Sequence, residues 1–482
     1  MIKRLLPMII LSITLSGCGQ FVSEQDLSPE KLLTLVEDGR FTDATAQIKQ
    51  KIATEEMTPL DIWQWQFEID RMARIRQDFS LDKTTAYEKV REFYSDFTDE
   101  QLAAWERTNA LENMTIDGEQ LFFYAAPRNL FRIDKEAQEA LNSIKGRQSD
   151  SLDRFLGWFI PQTVKSAKKS NRTLVDPVKM KYRYTITIKP DEIPDGEIAR
   201  VWMPYPRANA KHTDIKLISV SQPEYTISPD SYPHKSIYME KQVVKGEPTI
   251  FSYELSYTSY NQWFGFDPEK LKPYDKGSDL YTLYTSERDS HVIFTDDIKR
   301  ITDSLTAGES NPYYKVKSIY SWICDNFPWA SAREYSTLRN IPQYVLDNKH
   351  GDCGQVALLF ITMARYAGVP TKWQSGWMMH PGNLNLHDWA EVYYEGIGWV
   401  PVDQSFGKTY LASDNEDALY FFTRGLDAYR LIVNDDFSGD LFPAKTHPRS
   451  ETVDFQRGEV EWRGENLYFG RWRYKMEREF VN

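Results

Sequence analysis

A cysteine at the start of a helix is placed for nucleophilic chemistry, and this chain has one at Cys353. The run Gly351-Asp352-Cys353-Gly354-Gln355-Val356-Ala357 leads into residues 354–367, where Val356, Leu359, Phe360 and Met363 recur at a spacing of three and four. Gly368 and Pro370 then supply stop signals. At a helix N-terminus a thiol faces the positive end of the macrodipole and unpaired backbone N–H groups. That setting predicts a lowered thiol pKa and an available thiolate. Residues 386–394 are rich in β formers, 395–398 read as a turn and 399–403 as a partner strand. The hairpin puts His387 and Asp403 on neighbouring strands, with the register left open. Together the three residues could form an acyl-transfer site. Cys353 would attack an acyl carbon, and His387 would take the thiol proton and later protonate the leaving amine. Asp403 would hold the imidazole tautomer.

Three motifs, Gly351-x-Cys353-x-x-x-Ala357, His387-x-Trp389-x-Glu391 and Gly398-Trp399-x-x-x-Asp403, resemble in order and spacing those of the transglutaminase-like superfamily of papain-like cysteine enzymes. The resemblance covers residues 285–415. It implies a Cys-His-Asp triad at Cys353, His387 and Asp403. It also implies an oxyanion hole built from the cysteine N–H and an upstream side chain, for which Trp322 and Trp329 are both candidates. Asp388 departs from the pattern, which usually has a small or apolar residue there. Gln404-Ser405 replaces the common Pro-Thr. Strand alternation turns Asp388 away from the His387 face, so its expected effect is small.

Outside this core, the chain begins with a short basic start and an apolar run, residues 5–15, too short to span a bilayer. Leu15-Ser16-Gly17-Cys18 looks like a bacterial lipobox, which makes residues 1–17 a signal peptide and Cys18 a lipidated anchor. Residues 18–27 are then a tether and 28–175 a mostly helical region, whose first two helices look like one tetratricopeptide-type hairpin. Within it, Trp63, Trp65 and Phe67 read as core, and the Lys-rich stretch 150–175 as a linker or solvated face. Residues 176–265 switch to period two and read as a β-sandwich-like domain. The catalytic core is 266–435, and 436–482 is a β-rich tail expected to pack back on the sandwich or the core. The expected class is therefore α+β: a papain-like transglutaminase core preceded by a sandwich-like module and an N-terminal helical region.

A net charge of −12 over 482 residues, with no concentrated basic groove, argues against nucleic acid as a partner. The spacing of His350, His380, His387 and Cys353 fits no structural zinc pattern, so no metal or other cofactor is expected. His350 and His380 are expected in loops flanking the cleft. The partners expected are a peptide or protein substrate, cell-wall peptide among the candidates, and a membrane reached through the lipid anchor. The expected location is the bacterial cell envelope, lipid-anchored at the outer membrane or a periplasmic face, with surface exposure open. The activity expected is amide-bond hydrolysis through a Cys353 thioester, favoured over cross-linking. The alternative is a catalytically silent scaffold that binds peptide or glycan.

Overall fold

The computed structural model describes residues 27–146 and 151–481. The leader, with Cys18, lies outside the described residues. Among those described, no helix is long and apolar enough to cross a membrane. The chain divides into two compact units, one running to Ile69 with Thr115–Glu119, the other Asp70–Met114 with the chain from Gln120. In the first, Ser28 caps helix Pro29–Glu37 by accepting from the Lys31 N–H. Gly39, at φ +71°, turns the chain into helix Phe41–Thr54. Thr42 is tied to the Asp117 carboxylate through both its N–H and its hydroxyl. The core role expected of Trp63 does not hold, since its side chain is 40% exposed.

In the second unit, two antiparallel five-stranded sheets face each other. Strand Leu174–Ile188 buries Met180, Tyr182, Tyr184, Ile186 and Ile188 on one side, the period-two pattern of a half-buried strand. It pairs with Thr249–Trp263, where Tyr182 sits opposite Leu255 and Tyr184 opposite Tyr253. The opposing sheet is centred on Ile198–Pro204. Tyr184, Val201, Met239, Tyr253 and Trp472 share one apolar core between the sheets. The tail completes both layers: Trp472–Phe480 pairs with Leu174–Ile188, and Glu459–Trp462 pairs with Ile198–Pro204. The stretch read as a linker is instead helix Ser151–Ser170. Leu156, Ile160, Val164 and Ala167 are buried along it at the helical spacing of three and four.

Besides the short hairpin Asn113–Ile116 and Glu119–Phe122, a four-stranded sheet carries His387 and Arg430. Its antiparallel order is Gly398–Val402, Asn383–Tyr394, Thr371–His380, Arg430–Asn434. Against it lies helix Cys353–Tyr366, whose residues from Gly354 to Arg365 are all buried. A helix apolar all round belongs in a core, and Val356, Leu358, Phe360 and Ile361 share one with Val316, Ile341 and Trp373. The helix ends at Gly368, φ +78°, where the Val369 N–H returns to the Ala364 carbonyl.

Candidate active site

Cys353 is the first residue of its helix. Asp352 caps it by accepting from the Gln355 N–H at 3.1 Å, while the Gln355 side chain accepts from the Asp352 N–H at 3.3 Å. This reciprocal pair fixes the entry of the chain and hence the position of the thiol. On the adjacent sheet, Ala390 pairs with Val402, and Asp403 follows directly after that strand. From there Asp403 Oδ2 lies 2.8 Å from His387 Nε2, with the His387 side chain 5% exposed and that of Asp403 fully buried. The hairpin thus brings imidazole and carboxylate into contact.

Asp403 is held from several sides. Its Oδ1 accepts from the Ser405 hydroxyl and the Phe406 N–H, and its Oδ2 also accepts from Arg430 Nη1 at 2.7 Å. Burial alone would raise this carboxyl, but His387 and the Arg430 guanidinium outweigh it and bring the pKa down to about 2. Burial lowers the His387 imidazole below its usual value, against the opposing pull of Asp403. Arg430 is itself fully buried, rests over the Phe406 ring and reaches Asp427 Oδ2 through Nε at 3.1 Å. Asp427 in turn meets His380 Nε2 at 2.9 Å. One buried arginine therefore neutralises two carboxylates that each face a histidine. Sequence reasoning missed Arg430, because a single arginine in a strand-forming run announces no partner.

The sulfur does not follow the expected arrangement. Cys353 Sγ donates to Asp388 Oδ2 at 3.3 Å, and no hydrogen bond joins it to His387 among the described residues. Asp388, expected to stand apart from the reacting groups, instead meets the start of the cysteine helix. Its Oδ1 accepts from Gln456 Nε2 at 2.7 Å, and the same amide donates to the His387 carbonyl. The lowered thiol pKa expected at the helix start is also overturned. Burial and the nearby carboxyls of Asp388 and Asp352 push the Cys353 thiol up.

Cys353 lines a cavity of about 360 Å³ with Trp329, Tyr335, Asp352, Asp388, Asp454 and Arg457. Trp329 also lines a second cavity of about 410 Å³, with Gly351, Gln404 and Phe406. Its indole is 42% exposed, and the Arg132 guanidinium sits 4.4 Å from the ring. Trp322 instead packs against Phe327, ring centroids 5.0 Å apart, and lines neither cavity. Of the two oxyanion candidates, Trp329 stands at the site. His350 and His380, expected in loops, are both buried, and His380 closes a strand of the central sheet.

Residues 299–404 match the family described as the transglutaminase-like superfamily. A stretch of 165 residues is 22% identical to the uncharacterized protein YebA of Bacillus subtilis, covering 30% of this chain and 22% of that one. The match thus spans about a fifth of that curated relative's length. Among solved structures, the chain is similar to a candidate cysteine protease from Cytophaga hutchinsonii. The identity is 14%, with 64% of this chain and 92% of that chain covered and a TM-score of 0.43. It is also similar to the periplasmic domain of TgpA from Pseudomonas aeruginosa, at 15% identity, 54% and 93% coverage and a TM-score of 0.25.

Proposed function

We propose that this chain, which carries a transglutaminase-like core over residues 299–404, is a cysteine hydrolase that cleaves amide bonds of a peptide or protein. The observation that carries this reading is the buried His387–Asp403 pair, 2.8 Å apart, on the strand next to a helix-opening cysteine that lines a cavity. In the first half-reaction, Cys353 Sγ bonds to the carbonyl carbon and its proton passes to His387. Collapse of the tetrahedral species breaks the C–N bond, and His387 returns the proton to the leaving amine. Water, deprotonated by His387, then attacks the thioester and releases the acid and the thiol. Asp403, held ionised by Arg430, keeps the imidazole oriented and stabilises its charged form. The resting sulfur must leave Asp388 to reach His387; catalytic contacts that are loose without substrate commonly tighten in its presence. The Cys353 N–H and the Trp329 side chain are the proposed oxyanion donors. Hydrolysis is favoured over cross-linking because amine acceptors are less readily supplied than water in an extracytoplasmic setting. Lipidation at Cys18 would hold the enzyme in the bacterial cell envelope, where cell-wall peptide is one candidate substrate.

A second reading is a scaffold that binds peptide or glycan without turnover. The observation favouring it is that Cys353 Sγ donates to Asp388 rather than to His387. One experiment separates the two: the pH profile of iodoacetamide labelling of Cys353 in the chain lacking residues 1–18, with and without His387→Ala. The enzyme reading expects the rise of labelling with pH to contain a limb that depends on His387, because only a neutral imidazole accepts the thiol proton and burial lowers its pKa. The limb disappears in His387→Ala. A profile untouched by the substitution makes the scaffold reading the better one.

A further inference from the structure

We propose that Asp388 is a further catalytic residue: it holds the Cys353 proton in the resting site and withholds it from His387. The inference rests on the reading of Cys353 as the nucleophile and adds a control on that nucleophile. Asp388 touches the reacting atom, with Oδ2 3.3 Å from Sγ. The approach is built in. A Cβ at position 354 would lie 2.8 Å from Asp388 Oδ2 and 2.3 Å from the Tyr335 hydroxyl oxygen. Only a glycine after the cysteine lets the carboxyl reach the helix start. Gln456 fixes the other carboxyl oxygen, so the group is aimed rather than free.

The surroundings of Asp388 are mostly acidic. From the helix start come Cys353 and Asp352. From the turn before it comes the Tyr335 hydroxyl, 3.5 Å away. From the segment after the central sheet come Glu451, Asp454 and Gln456. Arg457 is the cation nearby, and it lines the same cavity and acts on Asp352. Opposite Asp388 on the neighbouring strand, Ser375 donates to Asp454. Burial, then the charges of Asp454 and Asp352, raise the Asp388 carboxyl.

Thiol and carboxyl are in contact, so a charge on one opposes a charge on the other. Removing the first proton leaves a carboxylate against the thiol. Removing the second would put two negative charges in contact, so the thiolate forms late. Bond-making at Sγ then requires its proton to move from the Asp388 contact to His387. The proton balance is unchanged: one leaves sulfur and one reaches the leaving amine. A substrate seated in the cavity that displaces Asp388 from the sulfur would release the nucleophile.

Asp388→Asn tests this with little disturbance. Asparagine keeps an oxygen for Gln456 and turns an N–H towards the sulfur, a donor that favours thiolate. The measurement is the midpoint of iodoacetamide labelling of Cys353 from pH 6 to 10, in wild type, Asp388→Asn and Asp388→Ala, with thermal melts to confirm folding. The expected result is a midpoint lowered by about one unit or more in Asp388→Asn, a tenfold gain in thiolate where wild type is still protonated. An unchanged midpoint overturns the proposal, as does slower labelling than wild type at every pH, which would make Asp388 a base. His387→Ala in the wild-type background keeps the two readings apart. If it has no effect while Asp388→Asn shifts the midpoint, the His387 mechanism fails and only the hold of Asp388 on the thiol proton stands.

Discussion

Replacing Asp403 with asparagine should remove the imidazole's partner and leave the site with no way to repair the loss. Oδ2 accepts from both His387 and Arg430, and Oδ1 accepts from Ser405 and the Phe406 N–H. Whichever way an amide is turned, its NH₂ meets two donors. The imidazolium formed in the transition state also loses a charge at roughly 4 Å, worth about 4 kcal/mol at an effective dielectric of ~20. At about 1.4 kcal/mol per tenfold, that predicts a fall of ~10³ in kcat or in the His387-dependent part of Cys353 labelling. Arg430 would keep only Asp427. Breaking a buried ion pair costs about 3–5 kcal/mol, and the surviving pair puts the loss at the lower end. The control is Asp427→Asn: Asp427 meets Arg430 and His380 but not His387. It should lower the melting temperature comparably while labelling stays within about threefold of wild type. The reasoning is refuted if Asp403→Asn also labels within threefold, or if Asp427→Asn abolishes labelling equally.

Three further outcomes follow from the same geometry. Gly354→Ala should destabilise the fold by about 1–3 kcal/mol in a denaturant titration, because its Cβ collides with Tyr335 and Asp388. Trp329→Ala should leave the melting temperature within about a degree, since the indole is 42% exposed, yet lower kcat/KM for peptide hydrolysis by roughly tenfold, as for loss of one donor or wall contact. Glu451 is raised to about 8, chiefly by burial and then by the charge of Glu334. Its folded carboxyl binds protons more tightly than the unfolded one, so the associated stability is full below about pH 4 and is lost as pH rises through about 8. Melting temperature should therefore fall between pH 5 and 8, and Glu451→Gln should flatten that slope by about 1–3 kcal/mol, an amount reduced by the group's partial exposure.

The cysteine helix and the hairpin were legible because each depends on local pattern: apolar spacing of three and four, a cap, a glycine stop, and β formers on both sides of a glycine turn. The pairing of Ala390 with Val402 needed tertiary information, and so did the contact between Asp388 and the sulfur. Alternation says which face a side chain takes, but not what that face meets. Arg430 was invisible for a related reason. It lies 27 positions from Asp403, and a buried cation leaves no periodic trace. The burial of His350 and His380 was missed because polar residues in Pro- and Gly-rich stretches read as loop, whereas burial depends on packing: His350 meets Tyr344 of the preceding helix, and His380 meets Phe406, 26 positions on. The helix at Ser151–Ser170 was obscured by its lysines, which sit on the solvent side of an apolar stripe.

The closing strands of the sandwich make the fold a test of chain completeness. Phe480 pairs with Met180 and Trp472 with Ile188, across about 300 residues of sequence. Until that segment arrives, Leu174–Ile188 has an open edge, and the opposing sheet likewise lacks Glu459–Trp462. Pairings this distant in sequence form slowly, and exposed edges recruit other strands. A chain stopped short of Gln456 would also lose the amide that donates to both the His387 carbonyl and Asp388. The same closing segment thus completes the sandwich and brings the amide that braces the strand carrying His387 and Asp388.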